Sequence, residues 1–468
     1  MAYRESTNRA PIRAGHVKPV SSPAAVIGKV RGSFLVWLFY LATICPVIFD
    51  IGLFSIPPYR LVLLLTVIPC LLMWVIGKFG SIKSIDVLVL LFMVWVAISI
   101  SINHGLVQEY QFIGFTFIDT AGAFFLGRAI IRNAKSFLGF VKVHLLTLVL
   151  LLPFAIIETQ TGDPMLIRVL RPFARTQPII SYEPRMGLER AQVVFQHPIL
   201  FGVYSAAILG VVVFGLGYGS SKFKRAIRYS VVAVSTICSV SSGALVALIL
   251  QTWFIAYEYI MVRRAWRWKV LAILFASAYV LVDVLSDRTP IHVFVSYLTL
   301  NVSTGYNRIL IWEYGTQNVA ANPIFGLGLN DWYRARWMSA SIDNFWLVVA
   351  IRYGYPGIIL FLGSILLLIW QLIRVKHLSP LASAIRTGVL ISLGGTVVAA
   401  STVNLWGPIY AWFMFFIGAT VWMLDGDAKT KEGPSESEDG EASEETPDTE
   451  GRSKIIYTRF EHKGSRLR

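Results

Sequence analysis

The sequence predicts an all-α integral membrane protein, and three features of its composition support this fold class. Of the 468 residues, 55% are hydrophobic, and the mean hydropathy is +0.62. Only 15% are charged, whereas soluble domains average about 25%. The apolar residues form runs of roughly twenty, the helix length that crosses about 30 Å of hydrocarbon.

Twelve runs are candidates for transmembrane helices. In chain order they are 33–50, 58–76, 85–102, 112–131, 137–157, 196–217, 229–241, 243–261, 270–286, 344–373, 387–404 and 406–424. The seventh is short and meets the eighth through Ser241-Ser242-Gly243, which predicts a tight turn. The tenth is too long for one straight crossing, which predicts a bend within it.

The net charge of +15 raises the question of nucleic-acid binding, but its distribution argues against such a partner. Positive residues concentrate in segment 1–32 and in the short loops between apolar runs. If the N-terminus is cytoplasmic, every short basic loop lies in the cytoplasm, as the positive-inside rule requires. Both termini are then cytoplasmic. The two long loops, 158–195 and 287–342, face outward, which is the periplasm for a bacterial inner-membrane protein.

Composition divides the chain into three regions. Residues 1–32 form a basic cytoplasmic segment, and residues 33–424 form the membrane domain. Residues 425–468 are an acidic and then basic tail with few apolar side chains, which predicts disorder. The three cysteines lie singly in apolar runs, so neither a disulfide framework nor a metal site is expected, and no cofactor is expected either.

The two long outer loops use arginine and never lysine. Their nine arginines are Arg168, Arg171, Arg175, Arg185, Arg190, Arg288, Arg308, Arg334 and Arg336. Guanidinium is planar and grips phosphate through two parallel hydrogen bonds, which an ammonium group cannot do. The pattern therefore favours a phosphate- or pyrophosphate-bearing ligand on the outer face. The alternative is ordinary ion pairing with acidic residues, including Glu158, Asp163 and Asp331.

Several short motifs accompany these arginines. His197-Pro198 lies at the start of the sixth span, where proline suits a first helical turn. In the second loop, Arg308 and Trp312 share one face of a predicted helix. The glycines of Gly326-Leu327-Gly328 permit backbone conformations that predict amides open to an anion.

Together these residues resemble the O-antigen ligase/polymerase family of bacterial membrane glycosyltransferases. The resemblance covers roughly residues 185–375 by motif and the rest by span count. Its residues are Arg190, Phe195 and His197-Pro198; Arg308, Trp312, Asn322-Pro323 and Gly326-Leu327-Gly328; and Asn344, Gly354 and Gly357.

The resemblance implies an inverting, metal-independent transfer at the periplasmic face. The donor would be an oligosaccharide on undecaprenyl pyrophosphate, and the other partners an acceptor glycan, membrane lipids and other polysaccharide export or assembly proteins. By the family pattern Arg190 and Arg308 hold the leaving group, with Arg185 close by. The substrate-binding residues expected with them are His197, Trp312, Asn344 and Arg352.

Asp343 stands where ligases of this family carry a histidine before the asparagine. A carboxylate can also take a proton from a sugar hydroxyl, so Asp343 is the candidate base. The alternative is a helix cap, which stabilises by about 1 kcal/mol. The departure favours a polymerase that joins repeat units over a ligase that transfers the glycan to lipid A–core.

Arg352 lies within the apolar part of the tenth span. Pro356 cannot donate a hydrogen bond to the carbonyl of Arg352, which predicts a break between an outer piece, 344–353, and a membrane piece from 357. Arg352 would then lie near the outer interface. It would either reach the lipid headgroups or contact the lipid pyrophosphate. Asp119, within the fourth span, is a candidate to line a groove or to pair with an arginine.

The function expected from the sequence is polymerisation of lipid-linked repeat units for an exopolysaccharide or O-antigen. A ligase of the same family is the nearest alternative. A polysaccharide or lipid-linked-glycan transporter and a non-catalytic scaffold of a secretion complex are the others. A transporter predicts polar residues distributed along the spans toward the midplane, whereas an enzyme predicts them at the outer face.

Overall fold

The computed structural model describes residues 23–426, with gaps at 53, 263, 265, 286–292 and 294–301. Within these ranges the fold is helical, with one short antiparallel hairpin of strands, β1 (Phe49–Ile51) and β2 (Phe54–Ile56). The predicted N-terminal segment is described only from Pro23, where the first helix begins. Of the predicted tail, residues 427–468 lie outside the described residues.

The helices follow the apolar runs. In chain order they are α1 (Pro23–Ile44), α2 (Pro58–Val75), α3 (Ser84–His104), α4 (Leu106–Phe117), α5 (Ala123–Ile130), α6 (Ala134–Thr161), α7 (Met165–Leu170), α8 (Pro198–Ala206), α9 (Leu209–Val211), α10 (Lys222–Cys238), α11 (Ser242–Met261), α12 (Arg267–Leu285), α13 (Val302–Ala321), α14 (Phe345–Arg374), α15 (Pro380–Ala400) and α16 (Gly407–Gly418). Two π-helical turns, Ile118–Gly122 and Val212–Leu216, continue α4 into α5 and extend α9.

Ten helical segments among the described residues are long and apolar enough to cross a membrane, so the protein is a multi-pass membrane protein. They correspond to ten of the twelve predicted spans. The first predicted span, 33–50, corresponds to the last part of α1, Phe34–Ile44, after which the chain enters the β hairpin. The seventh, 229–241, falls mostly within α10, which has 17 residues and the N-cap Ser221. The count of twelve stays a prediction.

Aromatic side chains fill the centre of the bundle. Tyr40, Tyr204 and Trp412 are fully buried, and Trp412 donates its indole N–H to the hydroxyl of Tyr40 at 3.0 Å. The same hydroxyl meets Nδ1 of His144 at 3.1 Å, and Nε2 of His144 meets the carbonyl of Tyr204 at 3.1 Å. Each polar atom of this chain of contacts therefore has a partner within the apolar core.

Two buried ion pairs lie elsewhere in the bundle. Asp119 accepts from Nε and Nη2 of Arg60 at 3.0 and 2.6 Å, so it pairs with an arginine rather than lining a groove. Asp86 lies 2.9 Å from Nε of Arg128, which lies near the end of the predicted fourth span and is buried in α5. A buried charge is tolerated when it is paired in this way.

The predicted break in the tenth span is present in α14, at Gly354. This residue has φ +68° and ψ −172°, two positions before Pro356. The carbonyls freed by the break have other donors. Ile351 accepts from the amide of Leu327 at 2.7 Å, and Arg352 accepts from the amide of Gly328 at 3.0 Å.

These contacts overturn the expectation that the amides of Gly326-Leu327-Gly328 are open to an anion. All three are bonded, since the amide of Gly326 donates to the carbonyl of Asn322 at 3.1 Å. Gly326 has φ +64°, and a Cβ there would lie 2.5 Å from the carbonyl oxygen of Ile351. The glycines therefore let the loop approach the broken helix, because the unpaired carbonyls need donors.

We expect Gly354→Ala to destabilise the protein by about 1–3 kcal/mol, because a Cβ at positive φ is strained. The new Cβ would also lie 2.1 Å from the carbonyl oxygen of Ile324. Gly363→Ala, in the same helix, is the matched control, since a Cβ there meets no atom within 4 Å. Thermal unfolding in detergent should show a lower Tm for the first variant only. Equal Tm values would mean that the break is not required.

Candidate functional site

Three arginines from the two long loops, 158–195 and 287–342, converge on one cavity of about 260 Å³. We call it the arginine cavity. The lining residues that matter below are Arg185, Arg190, His197, Ser241, Ser242, Arg308, Ser341 and Asp343. They come from four separate parts of the chain, and the fold alone brings them together.

Arg308, in the second turn of α13, is the most buried of the three arginines, with 8% of its surface exposed. Its Nη2 donates to the hydroxyl of Ser242 at 3.1 Å. Its Nε and Nη1 are buried and have no hydrogen-bond partner among the described residues. A buried donor without a partner costs about 1–3 kcal/mol. We interpret this unpaired edge of the guanidinium as a surface kept for an anion.

The guanidinium of Arg190 contacts an aromatic side chain. Its guanidinium carbon is 5.2 Å from the centre of the Tyr182 ring, and that ring packs against His197 with centroids 4.7 Å apart. Its Nε is buried without a hydrogen-bond partner in the described part of the chain. The cation–π contact holds the guanidinium beside the ring, and its buried Nε remains available for a ligand.

The backbone around Arg190 is anchored on both sides. The amide of Ala191 donates to the carbonyl of Cys238 at 3.0 Å. The next two amides, Gln192 and Val193, donate to the two carboxylate oxygens of Glu158 at 2.7 and 2.9 Å. Glu158 therefore binds backbone rather than an arginine, contrary to the ion-pairing alternative. Charge-assisted bonds of this kind are about twice as strong as neutral ones.

A tight turn sets the direction of Arg185. Its amide and carbonyl pair with those of Leu188 at 2.9 and 3.0 Å. The two residues between them, Met186 and Gly187, have φ +55° and +76°, which is the backbone of a two-residue hairpin turn. The turn holds Arg185 at the mouth of the cavity.

Two helices begin at the cavity wall. His197 caps α8, since its Nδ1 accepts from the amide of Ile199 at 3.0 Å. Helix α11 begins at Ser242, and its N-cap Ser241 makes no side-chain cap bond. Both serines are buried and line the cavity. The N-terminus of a helix carries partial positive charge and unpaired amides that favour an anion.

Among the described residues, Asp343 is the one acid that lines the arginine cavity. The cap of α14 is Asn344, whose Oδ1 accepts from the amide of Leu347 at 3.1 Å. Asp343 accepts from the hydroxyl of Ser341 at 3.3 Å. Since Asn344 caps the helix, the carboxylate of Asp343 is left facing the cavity.

Positive charge exceeds negative charge in this cavity, and the titration of its groups reflects that excess. Burial and the charge of Arg185 lower the pKa of Arg190 to about 10. Burial also lowers the pKa of Arg308, an effect that Asp343 opposes. Burial, Arg190 and Arg185 lower the pKa of His197 to about 4, so this histidine is neutral near pH 7.

The other residues predicted for the site lie elsewhere. Trp312 is on α13 with Arg308 but is not among the cavity-lining residues, and Arg352 lines a second cavity. Three loop arginines make ordinary ion pairs. These are Arg168 with Asp163 at 2.5 Å, Arg175 with Asp50 at 2.7 Å and Arg334 with Asp331 at 2.5 Å. Arg288 lies outside the described residues.

Sequence reasoning missed Tyr182, the bonds of Glu158 to the backbone, and the place of the two serines in the cavity wall. The motif Ser241-Ser242-Gly243 was interpreted only as a turn. It meets Arg308, 66 residues further along the chain, through a contact that no local pattern encodes. Within the described residues, no group of three or more His, Cys, Asp or Glu side chains is placed to hold a metal ion.

The cap of α8 predicts a pH dependence of stability. His197 titrates near pH 4 when folded and near 6.5 when unfolded. The contribution of neutral His197 to the free energy of unfolding is complete above about pH 6.5. It is lost as the pH falls toward 4, because the unfolded chain then binds a proton that the folded chain does not. Asparagine caps equally well and does not titrate. We therefore expect the Tm of His197→Asn, relative to that of the parent protein, to be higher at pH 4.5 than at pH 7.5. The same difference in Tm at both pH values would contradict this.

The chain matches no family model, and no curated protein is significantly similar to it. What the site does must therefore be inferred from the chemistry of its own residues. Those residues are arginines with unpaired buried nitrogens, a helix N-terminus with two serines, and one carboxylate, all at one end of a helical membrane bundle.

Proposed function

We propose that this protein is a membrane glycosyltransferase of the O-antigen ligase/polymerase type. It joins oligosaccharide repeat units carried on undecaprenyl pyrophosphate, at the periplasmic face of the bacterial inner membrane. The observation that carries the proposal is the arginine cavity, where Arg185, Arg190 and Arg308 face a single carboxylate. An excess of half-buried positive charge on a membrane protein suits a lipid-linked pyrophosphate.

The donor pyrophosphate binds between Arg190 and Arg308. Both guanidinium groups have buried nitrogens without hydrogen-bond partners among the described residues, so the anion supplies the missing acceptors. The N-terminus of α11 adds amides and the hydroxyls of Ser241 and Ser242 on the same side. Arg185, at the mouth of the cavity, adds charge that draws the anion in.

Asp343 is the base in this mechanism. Its carboxylate takes the proton from the attacking hydroxyl of the acceptor sugar. The acceptor oxygen forms the new bond to the anomeric carbon on the face opposite the leaving group, and the bond from that carbon to the phosphate oxygen breaks. The pyrophosphate departs with the electron pair. Donors that are fixed before the reaction stabilise this developing charge at no reorganisation cost.

We expect Arg190→Lys and Arg308→Lys each to reduce transfer by about 100-fold or more, since removal of one fixed charge-stabilising donor has effects of this size. Lysine keeps the charge but loses the planar pair of donors. Asp343→Asn should be impaired similarly. Arg336→Lys is the matched control, because Arg336 is an exposed outer-loop arginine that lines neither cavity.

The measurement uses purified protein in detergent with lipid-linked repeat units, and products are separated on a gel as a ladder. Loss of the ladder in the lysine variants, with a normal ladder for Arg336→Lys, supports the proposal. Transfer only to lipid A–core would identify a ligase instead. Inactivity of the parent with both acceptors would reject a transferase, and a fully active Asp343→Asn would reject the base.

A further inference from the structure

A second cavity, of about 350 Å³, adjoins the arginine cavity. We call it the Arg352 cavity. Its lining includes Asn330, Ser341, Ile342, Arg352 and Asn404. Ser341 lines both cavities, whereas Asp343 lines only the first and Ile342 only the second. The segment from Ser341 to Asp343 is therefore the partition between them.

The wall of the Arg352 cavity is held by fixed contacts rather than by a loose loop. The amide of Gly328 donates to the carbonyl of Arg352 at 3.0 Å, and the amide of Leu329 donates to Nε2 of His104 at 2.7 Å. The indole N–H of Trp332 donates to the carbonyl of Ala340 at 3.0 Å and closes the loop above. A pocket with such fixed walls binds a ligand without the entropy cost of ordering a loop.

Arg352 is a positively charged residue of this cavity and has no acidic partner among the described residues. Its side chain is exposed, and its guanidinium carbon lies 5.9 Å from the centre of the Phe112 ring. Within the part of the chain that the structure describes, Arg352 makes no ion pair, and Asp331, an acid that lines the same cavity, is paired with Arg334 at 2.5 Å. The guanidinium is therefore available to an anion from outside the protein.

The position of Arg352 along α14 indicates what kind of molecule that anion belongs to. Eight residues separate it from the cap Asn344, a rise of about 12 Å. The break at Gly354 follows directly, and the 20 residues from Tyr355 to Arg374 are long enough to cross a bilayer. Arg352 thus lies at the end of the outer piece of α14 that adjoins the membrane-crossing piece, and Asp343 lies beside the cap at the other end of that outer piece.

We propose that the Arg352 cavity binds the acceptor, a phosphorylated glycolipid. Its phosphate lies at Arg352, its lipid continues past Phe112 into the bilayer, and its terminal sugar reaches Ser341 beside Asp343. Asn330 and Asn404 bond the sugar hydroxyls. This inference rests on the proposed transfer reaction and deepens it, because it gives donor and acceptor separate cavities and assigns Arg352 to the acceptor.

Separate substrates test the assignment. The donor-only substrate is the native lipid-linked repeat unit with its attacking hydroxyl replaced by hydrogen. The acceptor-only substrate carries a phosphonate in place of the anomeric oxygen, so its glycan cannot leave. We expect Arg352→Gln and Asn404→Ala to raise the KM for the acceptor about tenfold and leave that for the donor within about twofold, as for one lost hydrogen bond to a charged group. Arg336→Gln is the matched control.

Two results would overturn the inference. A rise in the donor KM would place Arg352 with the leaving group, and unchanged KM values for both substrates would leave it a contact for ordinary headgroups. Binding of the acceptor-only glycolipid to protein in phosphatidylglycerol nanodiscs separates the two proposals. If the parent catalyses no transfer, the proposed function fails. The cavity assignment then stands only if Arg352→Gln still weakens this binding about tenfold.

Discussion

Uncompensated positive charge at one end of the bundle is the constraint on which the rest of the site depends. Three guanidinium groups share the arginine cavity with a single carboxylate, an arrangement that costs desolvation and mutual repulsion. The nearby acids do not relieve it. Both carboxylate oxygens of Glu158 accept hydrogen bonds from backbone amides, and Asp163 forms an ion pair with Arg168. The fold keeps the cavity cationic by giving its acids other partners.

The carboxylate of Asp343 faces the cavity because a neighbouring residue meets the needs of the backbone in its place. A helix start needs an acceptor for its first amides, and either Asp343 or Asn344 has the right chemistry. Asn344 takes the cap, which frees Asp343. At the other end of the outer piece of α14, Gly328 satisfies the carbonyl of Arg352, so the helix can break without a buried unpaired group. At both ends of this outer piece the backbone is satisfied by neutral groups, and the carboxylate of Asp343 is not used for it.

The sequence predicted what local chemistry determines. Run length and hydropathy predicted the spanning helices, and Pro356 with its glycines predicted the break in α14. It failed where long-range contacts decide. The amides of Leu327 and Gly328 looked open because their acceptors, the carbonyls of Ile351 and Arg352, lie 24 residues further along the chain. For Arg334 the sequence left phosphate binding and ion pairing with Asp331 both open, and the structure shows the ion pair. Nor could any pattern pair Asp119 with Arg60, since the partner is 59 residues away in the chain.

The distribution of satisfied and unsatisfied polar groups favours the proposed enzyme over a transporter. A transport path through the bundle needs polar groups with bonding capacity left over for cargo. In the described bundle, Asp119 is bound to Arg60 and Asp86 to Arg128, while Gln251 bonds the amide of Gly210 and the carbonyl of Ala206. These groups bond to other helices of the bundle and have little hydrogen-bonding capacity left for a cargo. The unpaired nitrogens of Arg190 and Arg308 line the arginine cavity instead, where the proposed transfer reaction uses them to bind its substrate.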